Sequence, residues 1–367
     1  MIRSLTLLGL ALVASTGALG CRGGETGAGG GGGSDGSGGT PVSDATVLTC
    51  PNPGQLPFVI ESDGFANEDN RLTAEGSPRK KDESSDTLGV PDSVKANTYV
   101  ETNSPPASGP VVFEGRKART GQSSGLSAIG LKEEPVSLWY YDPSAAAWTT
   151  LGKTTTDAEG NYKLEPENAI VTEYGRPVYS ILEADGTCAE HFDVLLPMGS
   201  KFILTDIDGT MTLSDEELFK QIDDGSYVPL QNQSAELLMN TWSDKGYPIV
   251  YLTARPHEFR SETRAWLAQE GFPVGAVITA NSLVFDDSAR EYKRAWANRM
   301  LVDYGWEVVA AYGNAESDID AYEDAGIPKE ISFIVGEFAG ASGTVAIDNN
   351  DFSDHIGDFV EQQPDNE

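Results

Sequence analysis

Past Lys201 the chain alternates two rhythms. Short, almost unbroken apolar runs (KFILTD, YPIVYLTA, GAVIT, VVAAYG and ISFIVG) are separated by longer stretches whose apolar residues recur every three or four positions. These include SAELLMNTWSDKG, EFRSETRAWLAQEG and EYKRAWANRMLVDYG, and in the last Tyr292, Trp296, Met300 and Tyr304 fall on one helical face. Unbroken apolar runs read as strands buried on both faces, and the 3.6-residue period reads as amphipathic helix. Strand and helix in alternation predict an α/β fold, a doubly wound parallel sheet over residues 199–360. Between 109 and 198 the pattern changes to short β runs: PVVFEG, PVSLWYYD, AWTTLG, GNYKL and PVYSILEAD. Turn signals such as Asp142-Pro143 and Asp157-Ala158-Glu159-Gly160 separate them. This predicts a small antiparallel, sandwich-like all-β module. Residues 45–108 lack periodicity and read as a loop-rich segment, either preceding the β module or part of it.

The amino terminus reads as an export signal over residues 1–21. Arg3 precedes an apolar run from Leu5 to Leu19, too short to cross a bilayer comfortably. Ala18-Leu19-Gly20-Cys21 resembles a bacterial lipobox, which implies lipidation of Cys21 and a Gly/Ser-rich tether over residues 22–44. The expected location is the bacterial cell envelope, at the outer membrane or its periplasmic face. Ordinary signal cleavage and a freely soluble product is the alternative. Three cysteines are present, so with Cys21 lipidated Cys50 and Cys188 remain as an expected disulfide pair, two separate buried thiols being the other reading. With 25 basic against 57 acidic side chains the net charge is −32, which argues against nucleic acid as a partner.

In a doubly wound sheet the functional groups gather at the carboxyl ends of the strands. KFILTD ends in Asp206 and Asp208, side by side because residues i and i+2 share a face. YPIVYLTA ends in Thr253 with Arg255 following, and VVAAYG ends in Asn314 with Asp318 at the start of the next helix. Lys293 lies on the helix before that strand.

The order of these groups resembles the four motifs of the haloacid dehalogenase superfamily of phosphotransferases. The wording of DIDGTMT, YLTAR and YGNAESDIDAYEDAGIP resembles the catalytic domain of lipin-like (LNS2-type) phosphatidate phosphatases. That resemblance implies Asp206 as a nucleophile forming an aspartyl-phosphate, and Asp208 as the general acid and then base. It also implies Thr253 bonded to the transferring phosphoryl group and Lys293 neutralising phosphate and nucleophile. Mg2+ would be held by the Asp206 carboxylate, the Asp208 backbone carbonyl and the Asn314 side chain, with Asp318 in the first or second shell, and Gly209 and Thr210 would line the substrate. Read from the residues alone, Arg255 is either a contact to an anionic feature of the substrate or an ordinary surface arginine. Neither the interval 208–253 nor the interval 253–293 leaves room for a large cap. An open, capless site is therefore expected, able to take a phospholipid headgroup at a membrane. Two alternatives stay open: a phosphatase of soluble phosphomonoesters or phosphoproteins, and a non-catalytic phosphatidate-binding module.

Overall fold

The β runs upstream of residue 199 form two facing sheets and a short hairpin. The structure, a computed structural model, describes residues 64–70, 83–84, 87–89, 111–120, 128–142, 147–166, 177–224, 226–282 and 284–366. The expected signal peptide, Cys21, the tether and Cys50 lie outside these residues. In the first sheet β1 (Glu83–Ser84), β3 (Phe113–Arg116) and β8 (Asn161–Leu164) are antiparallel neighbours. The second sheet has five strands. β2 (Thr87–Gly89), β10 (Cys188–Leu195), β9 (Pro177–Leu182), β6 (Pro135–Asp142) and β7 (Ala147–Thr155) lie in that spatial order. β4 (Ala118–Thr120) pairs with β5 (Ala128–Gly130). Phe113 and Tyr162 of the first sheet pack with Val136, Leu138, Val178 and Leu182 of the second, which makes the sandwich. One pair departs from the all-antiparallel expectation, because β2 joins the edge of β10 in parallel.

β10 escaped the sequence pattern because Glu190, His191 and Asp193 interrupt its apolar rhythm. All three are nevertheless buried. Cys188, at its start, is disulfide-bonded. The far face of β10 also explains how the β layer is seated. Phe192 and Val194 belong to the same apolar cluster as Phe202, Leu204, Val250 and Leu252 of the following sheet. Polar contacts add to the seam: Arg116 pairs with Glu258 at 2.5 Å, and Arg260 donates to the Glu190 carbonyl at 2.8 Å.

Downstream, six strands run parallel: β11 (Lys201–Thr205), β12 (Ile249–Pro256), β13 (Ala276–Ala280), β14 (Glu307–Gly313), β15 (Ser332–Val335) and β16 (Val345–Ile347). Their order β13-β12-β11-β14-β15-β16 is doubly wound, with the chain turning to the opposite side of β11 after β13. The helices are α1 (Glu216–Asp223), α2 (Ala235–Asp244), α3 (Arg260–Gln269), α4 (Asp286–Asn298) and α5 (Glu316–Asp324). α2 and α3 pack Leu238, Met239, Trp242, Trp266 and Leu267 into one apolar cluster, while Trp296 and Ala297 of α4 pack into the other. The expected parallel α/β sheet and haloacid dehalogenase-like fold are present. β16 and α1 were not read from the sequence: β16 is only three residues long, and α1 leaves Phe219 exposed. Among the described residues no helix is long and apolar enough to cross a membrane.

Two histidines couple this fold to pH. Burial, with the nearby Arg260 and Arg116 charges, pushes His257 down to about 3, and burial pushes His355 down to about 4. Both are therefore neutral when folded, whereas in the unfolded chain each titrates near about 6.5. Below that value the unfolded state binds more protons, so stability is intact above it and falls as the pH is lowered toward about 4. Each histidine contributes about 1.4 kcal/mol of loss per pH unit across that window. Denaturant titrations from about pH 7 to about pH 5 should show the decline, and His355→Phe should make it shallower by its own share.

Candidate active site

The carboxyl ends of β12, β11 and β14 meet where the strand order reverses. Asp206 leaves β11 with its backbone N–H donating to the Tyr312 carbonyl of β14 at 3.0 Å, which fixes the nucleophile candidate against the neighbouring strand. Gly209 then turns the chain at φ +70, and a side chain there would strike Asn314 and Asp215. Asn232 braces this turn from behind. Fully buried, its Nδ2 lies 2.8 to 3.2 Å from the carbonyls of Gly209, Thr210 and Thr212.

Asp206 is almost completely buried, and Lys293 of α4 is its counter-charge, with Nζ 2.9 Å from Asp206 Oδ1. The same Nζ reaches Asp318 Oδ1 at 2.5 Å. Burial pushes the Asp206 carboxyl up to about 7 against the pull of Lys293, with Asp318 and Asp208 adding to the rise. Burial alone would lower Lys293, but Asp206 and Asp318 hold it above the ordinary lysine value. The ammonium is thus the fixed positive charge of the site.

Asp318 is bonded to protein donors through both carboxylate oxygens. Oδ1 is taken by Lys293, and Oδ2 accepts the backbone N–H groups of Asn314 and Ala315, each at 3.1 Å. Gly313 makes the close approach feasible, since a Cβ there would lie 2.6 Å from that of Asp318. Asp318 therefore anchors the lysine and the β14–α5 turn.

Arg255 and Thr253 converge on the other aspartate of the motif. Both face Asp208: Arg255 Nε lies 2.9 Å from Oδ2 and Nη2 lies 2.7 Å from Oδ1, while the Thr253 hydroxyl donates to Oδ2 at 3.2 Å. Nη1 of Arg255 is held by Thr263 at 3.0 Å, and the side chain has no solvent exposure. The guanidinium is held on Asp208 in a fork-on-carboxylate pair.

The remaining donors fit a magnesium ion. Among the described residues no three His, Cys, Asp or Glu side chains form a metal cage. Mg2+ does not require one, because it takes one or two carboxylates and keeps waters or phosphate oxygens for the rest. The Thr210 hydroxyl lies 3.3 Å from Asp206 Oδ2 and 3.2 Å from Asn314 Oδ1, so two hard oxygens are held close together across it. A cavity of about 200 Å³ opens over these groups, with Leu218, Phe219, Val284 and Phe285 on its walls.

Sequence reasoning missed Asp215 and Asn232. Asp215 lines the cavity and accepts from Asn314 Nδ2 at 3.2 Å. Nothing in SDEE or QNQS marks either residue, because each acts across a distance in sequence that only the fold closes.

Comparison with known proteins now bears on this geometry. The family model described as the LNS2 domain of PITM 1-3 matches residues 203–336. This segment is an LNS2 domain. Protein retinal degeneration B of Drosophila melanogaster is 28% identical over 287 residues, covering 77% of this chain and 21% of that protein. Human membrane-associated phosphatidylinositol transfer protein 3 is 28% identical over 215 residues, covering 58% of the chain and 21% of its own length. The chain spans about a fifth of the length of these relatives. A match over 287 residues extends upstream of the LNS2 domain, so the likeness includes part of the β layer. Among solved structures, the D,D-heptose 1,7-bisphosphate phosphatase of B. bronchiseptica with magnesium and phosphate is 18% identical. That match covers 41% of this chain and 93% of that one at a TM-score of 0.28, too low to carry an argument about chemistry.

The brace behind the LNS2 turn is testable. Asn232→Asp sets a carboxylate against three carbonyl oxygens and leaves the buried groups unsatisfied, a loss of about 1–3 kcal/mol or more. Chemical denaturation should register it.

Proposed function

We propose that the LNS2 domain is a Mg2+-dependent phosphatase working through an aspartyl-phosphate, and that its substrate is phosphatidate at a membrane, converted to diacylglycerol and phosphate. The observation that carries the reaction is the buried Asp206–Lys293 pair at the switch point, open to a cavity and flanked by Asp208. An Asp206 oxygen attacks phosphorus, the ester P–O bond breaks, and the departing alkoxide takes a proton from Asp208. Water then attacks the phosphorus of the acyl phosphate, Asp208 accepts its proton, and Asp206 is regenerated with release of phosphate. Lys293 balances negative charge as it builds on the phosphoryl oxygens, in a site dry enough for that charge to count. A bound Mg2+, held by Asp206, the Asp208 carbonyl and Asn314, would supply further charge neutralisation.

For Asp208 to carry a proton, one of its oxygens must leave Arg255. An incoming phosphate competes for that guanidinium and provides the exchange, which gives Arg255 a role in substrate binding. The same clamp favours a second reading, in which Asp208 never leaves Arg255 and the domain binds phosphatidate without hydrolysing it.

The lipid part of the proposal is supported by the cavity walls. Phe219 is 40% exposed and Phe285 54% exposed, on opposite elements at the mouth. Apolar side chains beside a charged floor suit a phosphate that carries hydrocarbon, and the curated relatives include phosphatidylinositol transfer proteins by name. Lipidation of Cys21 behind a flexible tether would keep the domain near such a surface and raise its effective concentration there. A soluble phosphomonoester or a phosphoprotein would gain nothing from these walls.

Phosphate release from phosphatidate micelles with Mg2+ is the direct test, and Asp206→Asn should abolish it. Vesicle binding by the wild type without any phosphate release would establish the binding-only reading. The double variant Phe219→Ser, Phe285→Ser should lose turnover on phosphatidate by about tenfold or more while sparing a small water-soluble phosphomonoester, each buried aromatic contact being worth about 1–3 kcal/mol.

A further inference from the structure

An aspartate just before a helix is ordinarily an N-cap, its carboxylate accepting the first free backbone N–H groups. Asp215 stands at that position before α1, yet its side chain makes no capping bond. Its Oδ1 instead accepts a hydrogen bond from Nδ2 of Asn314, far away in sequence on the β14–α5 turn. The contact forms over Gly209, where any side chain would collide with both partners.

The chemistry of that contact is directional. An amide has an oxygen that accepts and a nitrogen that donates, and an ionised carboxylate can only accept. A carboxylate at residue 215 therefore draws the Nδ2 end of Asn314 toward itself. At the other end of the amide, the Thr210 hydroxyl donates to Asn314 Oδ1 at 3.2 Å and lies 3.3 Å from Asp206 Oδ2. The two contacts together turn the amide oxygen toward the nucleophile and its nitrogen away. Were the amide reversed, an N–H group would face the point where a cation is expected, and binding would be opposed.

We propose that Asp215 is a positioning residue that fixes the Asn314 amide with its oxygen toward the cation site. This rests on the magnesium-dependent reading of the LNS2 domain. Asp215 reaches the reaction only through Asn314, which explains why a partly desolvated carboxylate is kept beside Asp208 and Asp318 although it caps nothing.

The test uses the full chain and isosteric substitution. Asp215→Asn keeps the volume but adds a donor, so the Asn314 amide is free to reverse. Calorimetric titration with Mg2+ and Mn2+ alone should show affinity weaker by about 10–100-fold, the usual loss when an outer partner of a metal ligand is removed. Asn314→Ala should weaken binding at least as much, and the double variant should be no weaker than Asn314→Ala. Thermal melting of metal-free Asp215→Asn should match the wild type, while the shift that Mg2+ adds should shrink. Unchanged cation affinity in Asp215→Asn overturns the proposal. An equal loss on the Asn314→Ala background also overturns it, because Asp215 would then act on the cation by charge alone. If the wild type itself binds neither cation, the metal reading of the site falls and this inference with it. Wild-type binding with an indifferent Asp215→Asn variant removes only the positioning role.

Discussion

One buried ammonium, that of Lys293, holds the carboxyl edge of the sheet together. Its two contacts join three chain segments: Asp206 from the end of β11, Asp318 from α5, and α4 itself. Two carboxylates this close and this deeply buried would repel each other and lose their hydration with no return. A single lysine between them resolves both problems. It also leaves the site pre-charged, so no reorganisation is needed when a phosphoryl group arrives. Asp318 spends its second oxygen on the backbone of Asn314 and Ala315, and so carries the lysine's position into the turn that presents the amide.

A second ion pair, Arg255 with Asp208, stands opposite and has another character. Lys293 is a point charge shared between two acids, whereas Arg255 forks onto one acid and is itself locked by Thr263. The first pair looks permanent. The second holds the proton-handling candidate as an acceptor and ties its chemistry to whatever can displace the guanidinium. Binding and turnover in this domain thus differ by one exchange of hydrogen bonds, which is why the enzymatic and binding-only readings stand so near each other.

Much of the parallel sheet was legible because strands buried on both faces read as nearly unbroken apolar runs, as Phe202–Leu204 and Ala276–Ile278 do. The residues clustered at the strand ends were legible as well, since Asp206, Asp208, Thr253 and Asn314 sit where apolar runs stop. Their detailed partners were not. The spacing of Asp318 says nothing about which of its oxygens is bonded to backbone, and sequence cannot show the Arg255 side chain folding back on Asp208. β10 was lost for a related reason: Glu190, His191 and Asp193 look like surface residues until neighbouring sheets bury them.

The seam between the β layer and the LNS2 domain sets the size of the smallest piece that can stand alone. Phe192 and Val194 fill the same apolar cluster as Phe202 and Leu204, so the chain has no mechanical boundary where its rhythm changes near residue 199. A cut there would leave an open flank of hydrocarbon on the parallel sheet and strip Glu190 from Arg260. The stretch matched by the family model, residues 203–336, is shorter than the packed unit, and recombination that moved it alone would leave the Phe192 and Val194 side of the cluster behind.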